Sequence, residues 1–226
     1  MVDLGAPFRI LQDRAGFFDE VKNVENLWQR NLSLLLSASL YFAIYGALMG
    51  GYSGWGQALS AAVKLPILYV LTAAICLPAL YVLNLLFGAK QNLAQHVMVI
   101  LGTLAITGVL LLGFAPITAF FLMTADHYQF FKLLNVSILA ATALFGVTFF
   151  HRGMLALTDQ DAGDKKARRR ILILWIFLFA FVGSQLGWTV RPFFGAPDLP
   201  FEIIREVGGN FYVNVLEAIG EVFGFN

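Results

Sequence analysis

An uncharged stretch of twenty residues, 171–190, constrains the fold of this chain more than any other feature. Twenty apolar residues in a helix are long enough to cross the hydrocarbon core of a bilayer. Arg191 and Pro192 follow the stretch, and five basic residues precede it: Lys165, Lys166, Arg168, Arg169 and Arg170. Because basic residues concentrate on the cytoplasmic side of membrane spans, this pattern predicts a crossing that starts at the cytoplasmic face.

The composition extends this prediction to the whole chain. Of the 226 residues, 59% are hydrophobic and 13% are charged, whereas roughly 25% are charged in a typical soluble domain. The alternating segments of a β-barrel are absent, and the one cysteine, Cys76, allows no disulfide within the chain. We therefore predict an all-α fold, a polytopic transmembrane helical bundle of about five spans: residues 32–49, 65–87, 97–124, 133–150 and 171–190. Residues 51–64 are predicted to form a turn with Trp55 at the interface.

Three regions follow from this pattern. Residues 1–31 are predicted to be a cytoplasmic amphipathic segment, residues 32–190 the five-span bundle, and residues 191–226 a non-cytoplasmic acidic amphipathic tail. In the first region one helical face carries Phe17, Val21, Val24 and Trp28, and in the tail a similar stripe carries Phe211, Val215, Ile219 and Val222. The N-terminal helix could dock on the membrane or a partner, or cover the protein's own cytoplasmic face. The tail is expected to pack on its own bundle or on another protein.

The distribution of basic residues predicts the orientation. With the N-terminus in the cytoplasm, eleven of the fifteen Lys and Arg residues fall on the inner side and four on the outer side. This bias predicts five crossings with the N-terminus in the cytoplasm and the C-terminus on the other side.

The ionisable residues argue against catalysis and against ion coupling. All fourteen carboxylates lie outside the predicted spans, whereas coupled transporters place titratable groups at membrane depth. The three histidines, His96, His127 and His151, are isolated in sequence, so no metal site is predicted. No nucleophile or phosphate-binding motif is present. We predict no catalytic residue, no cofactor, no nucleic-acid partner and no enzymatic activity.

The outer half of the last span holds the candidate site. Gly183-x-x-x-Gly187 permits close helix approach, and the site adds four side chains: Ser184, Gln185, Trp188 and Arg191. These residues could pack inside the protein, with Arg191 reaching the interface, or form an oligomer seam or a groove for a partner. Because Pro192 ends the helix, we expect Arg191 to be held by the protein, with Asp198, Glu202 or Glu206 as the nearest carboxylates.

A family resemblance rests on the same stretch. The string GSQLGWTVRPFFGAPDLPF, followed by GGNFY at 208–212, resembles a signature of a family of uncharacterised bacterial polytopic membrane proteins. ICLPALYVLNLLFG at 75–88 and the pattern near residues 17–21 are similar too. The resemblance implies a multi-pass protein of the bacterial inner membrane and transfers no functional residue. The layout of five spans after an amphipathic segment also resembles Yip1-like membrane proteins, in architecture only.

Two functions remain open from the sequence. The first is a non-enzymatic complex subunit, scaffold or membrane-organising factor, whose partners are membrane lipid and other membrane protein subunits or a second copy. The alternative is a homo-oligomeric channel for ions or small solutes lined by Thr103, Thr107, Asn135, Ser137, Thr142 and Gln185. A water-filled pore along those residues would favour the channel, and a packed bundle with an exposed groove would favour the scaffold.

Overall fold

The computed structural model describes residues 3–23, 27–125, 127–158, 165–195 and 201–204, together with Val213 and Gly220. Regular structure in these ranges is helical, which confirms the all-α prediction. The helices are α1 (Ala6–Gln12), α2 (Arg14–Asn23), α3 (Leu27–Gly50), α4 (Trp55–Leu86), α5 (Leu93–Thr124), α6 (Tyr128–Thr158) and α7 (Lys165–Thr189), with a 3-10 turn at Gly51–Ser53. Five of them, α3 to α7, are long and apolar enough to cross a membrane, so the predicted number of spans is confirmed.

Helix α5 is the centre of the bundle. It is the most buried of the five long helices, and α7 is the least buried. A capping box starts α5: Gln95 N–H donates to Asn92 Oδ1 and Asn92 N–H donates to Gln95 Oε1, each at 2.9 Å, which satisfies two amides at the helix end. Helices α3 and α6 pack on α5, α4 packs on α3, and α7 packs mainly on α4. The bundle is therefore tight around α5 and looser between α6 and α7.

Helix α4 starts ten residues before its predicted span. Residues 51–64 were expected to be a turn, and only the first part of them is one, because Gly54 has a φ of +105° and the helix begins at Trp55. A positive φ suits glycine and stops the preceding turn from continuing as helix. The prediction was wrong from Trp55 onward because polar residues there, Gln57 above all, face a neighbouring loop instead of water.

The contact between α3 and α4 requires glycine. A Cβ on Gly46 would lie 2.5 Å from the carbonyl oxygen of Ala61, and one on Gly50 would lie 2.9 Å from the Ala61 Cβ. Small residues in this spacing let two helix backbones approach closely. One helical turn away, the rings of Phe42 and Tyr69 stack at 4.2 Å between the same two helices.

The N-terminal hairpin, defined as α1 and α2, is inserted into one end of the bundle. Phe17 fits against Gly102 of α5 and Phe18 against Gly153 of α6, at positions where a Cβ would lie 2.6 and 2.5 Å from the rings. The Tyr41 hydroxyl donates to the Leu4 carbonyl at 2.6 Å. Tyr41 lies about 21 Å from Leu27, the first residue of α3, along the helix axis, so the segment before α1 reaches well into the bundle. The hairpin thus covers the protein's own bundle.

The apolar face predicted for one N-terminal helix is divided between two helices, α2 and α3. Phe17 and Val21 of α2 are buried, but Trp28 is 76% exposed because it belongs to α3. Val24, and the whole predicted stripe of the C-terminal tail, lie outside the described residues.

Candidate functional site

The candidate site continues into a loop that closes one end of the bundle. We call residues 191–195 the terminal loop. Ser53 Oγ donates to the Phe194 carbonyl at 2.7 Å, Gln57 Nε2 donates to the Pro192 carbonyl at 2.7 Å, and the Tyr128 hydroxyl donates to the Gly195 carbonyl at 2.5 Å. These donors come from three different parts of the bundle. The terminal loop therefore ties the end of α7 to the turn after α3, to α4 and to α6.

Lys64 adds a buried cation to the terminal loop. Lys64 is 8% exposed. Its Nζ donates to the Pro192 carbonyl at 3.0 Å and also to the Ile203 carbonyl. A buried ammonium is costly unless its donors are satisfied, and backbone carbonyls satisfy them here. Gly195 completes the loop with a φ of +71° at a point where a Cβ would lie 2.5 Å from Ser53, so both its conformation and its contacts require glycine.

Arg191 is held by an aromatic ring. Its guanidinium carbon lies 3.6 Å from the centroid of the Trp188 ring, within the range of a cation–π contact. Of the three carboxylates considered as partners, Asp198 and Glu206 lie outside the described residues. The contact with Trp188 joins two of the predicted site residues at the end of α7.

The glycine pair of the predicted site faces α4 of the same chain. A Cβ on Gly183 would lie 3.4 Å from Thr72, and one on Gly187 would lie 3.7 Å from Leu68. These are ordinary van der Waals distances, so α7 does not need glycine here to approach α4. Gly46 and Gly50 have the same Gly-x-x-x-Gly spacing, and the close helix approach occurs at this pair instead.

The two polar residues of the predicted site are not brought together with the glycines. The Ser184 hydroxyl donates to the Phe181 carbonyl at 2.8 Å, and Gln185 is exposed on the outer surface of α7. The six predicted residues thus fall on separate surfaces: a contact with α4, an exposed side of α7, and the Trp188–Arg191 stack.

The polar residues proposed for a channel are also dispersed. Asn135 and Thr142 are buried, and Ser137 and Gln185 are exposed. Asn135 Oδ1 accepts from the Tyr45 hydroxyl at 2.8 Å, and Thr118 donates to that hydroxyl at 3.2 Å, so these groups form a closed interior cluster. The candidate channel residues do not line one path.

A cleft between α6 and α7 is the site that the sequence did not predict. We call it the lateral cleft. It has a volume of about 250 Å³. Thr103 and Thr107 of α5 form its base, and Ala143 and Gly146 of α6 form one wall. The opposite wall is the α7 stretch 175–183. The small residues of the lining are Ala143, Gly146, Ala180 and Gly183. Such residues occur throughout the spans, so the sequence alone does not indicate a cleft here.

The lateral cleft is apolar although threonines line it. Thr72, Thr103 and Thr107 donate their hydroxyl hydrogens to carbonyls of their own helices at 2.6, 2.8 and 2.9 Å. An aromatic pair supports the cleft from inside: Phe150 and Trp175 stack at 4.6 Å, and the indole N–H of Trp175 donates to the Cys76 carbonyl at 2.8 Å. Tyr69 adds a fourth hydroxyl to a lining that is otherwise mostly hydrocarbon. A largely apolar cavity holds apolar groups better than water.

A charged cluster binds the N-terminal hairpin at the opposite end from the terminal loop. Arg9 pairs with Asp3, and Arg30 pairs with Glu20 at 2.5 Å and approaches Asp3 at 3.8 Å. The Arg9 guanidinium holds the pKa of Asp3 below its usual range. Arg9, Glu20 and Arg30 border a cavity of about 290 Å³ between the hairpin and α3. The sequence placed Asp3 outside the spans, but the chain folds back so that its N–H reaches Ser33 of α3.

Within the described residues, no group of three or more His, Cys, Asp or Glu side chains is placed to hold a metal ion. His96 is buried, with Nδ1 3.0 Å from the Asn92 carbonyl and its ring edge-on to Tyr81. Compared with known protein families, curated proteins and solved structures, the chain shows no match.

Proposed function

We propose that this chain is a non-enzymatic integral membrane protein that acts as a complex subunit, scaffold or membrane-organising factor. The observation that carries the proposal is the closure of the bundle by its own chain at both ends. The N-terminal hairpin fills one end through Phe17 and Phe18, and the terminal loop is bound across the other. Such a bundle offers its outer surface and its lateral cleft, rather than an internal path, for interaction.

The interior polar groups support the same proposal. Tyr45, Thr118 and Asn135 satisfy one another, and Thr142 donates to its own helix. A conduction path needs polar groups arranged in line and open to water. The homo-oligomeric channel is therefore less well supported than the scaffold.

We place the protein in a bacterial inner membrane, with the N-terminus in the cytoplasm. The helix ends beside the N-terminal hairpin carry most of the basic residues, including Arg30, Arg152 and Arg169, which supports a cytoplasmic location for that end. The end closed by the terminal loop then faces the other side. Partners on this proposal are lipid and other membrane protein subunits or a second copy of the chain.

Site-specific photocrosslinking in native membranes tests the scaffold. A photoreactive residue would replace Leu36 or Ile44 on the exposed face of α3, Leu144 on α6, and Phe177 on α7, all of which are exposed. A scaffold gives a discrete protein adduct from one face only. The absence of protein adducts on every face, together with solute release from liposomes containing the purified protein, would contradict the proposal and favour the channel.

A further inference from the structure

We propose that the lateral cleft binds one acyl chain of an anionic phospholipid, whose phosphate lies on the basic residues at the adjacent ends of α6 and α7. The proposal adds a lipid-binding site to the protein and does not depend on which protein partner it has. It commits to lipid as the occupant for reasons of shape, chemistry and charge.

The shape of the cleft fits a chain and not a helix. Its wall on α7 extends from Trp175 to Gly183, which is about 12 Å along a helix axis. The lining on α5 and α6 covers a similar length, from Ile100 to Thr107 and from Ala143 to Phe150, so the cleft is a groove parallel to the helices, which suits an extended hydrocarbon chain. A transmembrane helix is about 10 Å wide and cannot enter.

The chemistry of the cleft favours hydrocarbon over water. The three threonine hydroxyls donate to their own helices, Tyr69 contributes one further hydroxyl, and the other lining side chains are aliphatic or aromatic. An empty cleft would leave its lining without contacts on one side, and a hydrocarbon chain restores them. Phe150 and Trp175 are 2% and 4% exposed, so the ring stack forms the inner wall while the lipid-facing side stays open.

The charge next to the cleft fits an anionic headgroup. Arg152 on α6 and Arg169 and Arg170 on α7 are exposed, and within the described part of the chain none of the three forms an ion pair. Arg169 is close enough to His151 to act on it electrostatically across the gap between the two helices. The same two helices thus carry both the arginines and the cleft walls.

The spacing between these two parts matches a phospholipid. Arg170 precedes Trp175 by five residues, or about 7.5 Å along α7. The headgroup layer on each side of a bilayer is about 5–8 Å thick. A phosphate bound at the arginines therefore places the first methylenes of its chain at the Phe150–Trp175 end of the cleft.

Photolabelling with lipid tests the proposal on the full chain. The protein is placed in nanodiscs of phosphatidylcholine that contain a trace of a photoreactive lipid. In one sample this probe is phosphatidylglycerol and in the other it is phosphatidylcholine, each with a diazirine near the end of one acyl chain. We expect phosphatidylglycerol to label the lining near Ala143 and Gly183 more strongly than phosphatidylcholine does. Ala143→Phe fills the cleft and should lower that labelling at least tenfold, whereas its neighbour Leu144→Phe, at a position 67% exposed, should leave it unchanged.

Four further variants separate the contribution of the headgroup from that of the acyl chain and guard against misfolding. Arg169→Gln and Arg170→Gln should each reduce the preference for phosphatidylglycerol about fivefold, and Arg14→Gln, an exposed arginine on the hairpin, should not. If Ala143→Phe does not fold, Ala180→Leu narrows the cleft from the other wall. Equal labelling of the cleft lining by both lipids, or labelling confined to the lipid-facing Leu144 and Phe177, would overturn the proposal. So would a protein adduct at Ala143 in place of lipid.

Discussion

Alanine substitution of the two glycine pairs distinguishes the close helix contact from the loose one. The variants are Gly46→Ala with Gly50→Ala on α3, and Gly183→Ala with Gly187→Ala on α7. Each double variant replaces two helical glycines, and the gain in helix propensity is at most about 1 kcal/mol per site, with Gly50 gaining less because it is the last residue of α3. The difference in their free energies of unfolding therefore reports mainly the steric contacts.

The distances determine the expected size of that difference. At Gly46 the new Cβ would lie 2.5 Å from a backbone oxygen of α4, which cannot rotate away, so α3 has to move outward along its whole contact. Overpacking of this kind costs about 1–3 kcal/mol per site, and the shift also loosens the stack of Phe42 on Tyr69. At Gly183 and Gly187 the new methyl groups meet side chains at 3.4 and 3.7 Å and cost little.

We therefore expect the α3 variant to be about 2–6 kcal/mol less stable than the α7 variant. At about 2–4 °C per kcal/mol for a chain of this size, the melting temperatures should differ by at least about 4 °C. The assay is thermal unfolding of both purified proteins in the same detergent, followed by tryptophan fluorescence. Equal melting temperatures, or a less stable α7 variant, would refute the assignment of the close contact to Gly46 and Gly50.

Three other predictions follow from the ends of the bundle. Arg191→Lys should lower the melting temperature and Arg191→Ala should lower it further, because the planar guanidinium stacks on Trp188 in a way that an ammonium does not; an unaltered lysine variant would contradict this. Asp3 has a lowered pKa, so its pairing with Arg9 stabilises the hairpin above the ordinary carboxyl pKa and is lost as the pH falls through the folded value. Proteolysis of the hairpin should accordingly increase on acidification below about pH 4 in the wild type, and Asp3→Asn should already be more susceptible than the wild type at neutral pH. A reporter fused after the C-terminus should report the non-cytoplasmic side, and one inserted at 159–164 the cytoplasm; the same side for both would exclude the proposed orientation.

The five spans could be predicted because hydrophobic length is a local property of the sequence. Each long helix contains an apolar window of 18 residues, about the length that a bilayer requires, so no knowledge of its neighbours was needed. The start of α4 at Trp55 could not be predicted in the same way. Gln57 and Lys64 are residue types expected in a solvent-exposed turn. They become buried donors only because the terminal loop, more than 120 residues later in the chain, packs on them and accepts their hydrogen bonds.

The candidate site was predicted only in part for the same reason. Gly46-x-x-x-Gly50 and Gly183-x-x-x-Gly187 are equivalent as sequence patterns, and their difference arises from how near α4 lies to each of them. The insertion of the hairpin depends on Gly102 and Gly153, which are distant in sequence from Phe17 and Phe18. The lateral cleft is lined by residues of four helices that are distant in sequence, so no local sequence pattern predicts it.

Water access to the polar interior tests most directly whether the bundle is closed. The native protein has one cysteine, Cys76, which is 1% exposed, so the wild type itself should not react with a membrane-impermeant maleimide. Cysteines replacing Thr107, Ser137 or Thr142 are then tested in liposomes from both sides, with Trp55→Cys, at a position 88% exposed, as the reactive control. A closed scaffold predicts reaction at the control alone. Labelling of two or more of the three span positions would show a water-filled path and contradict the account.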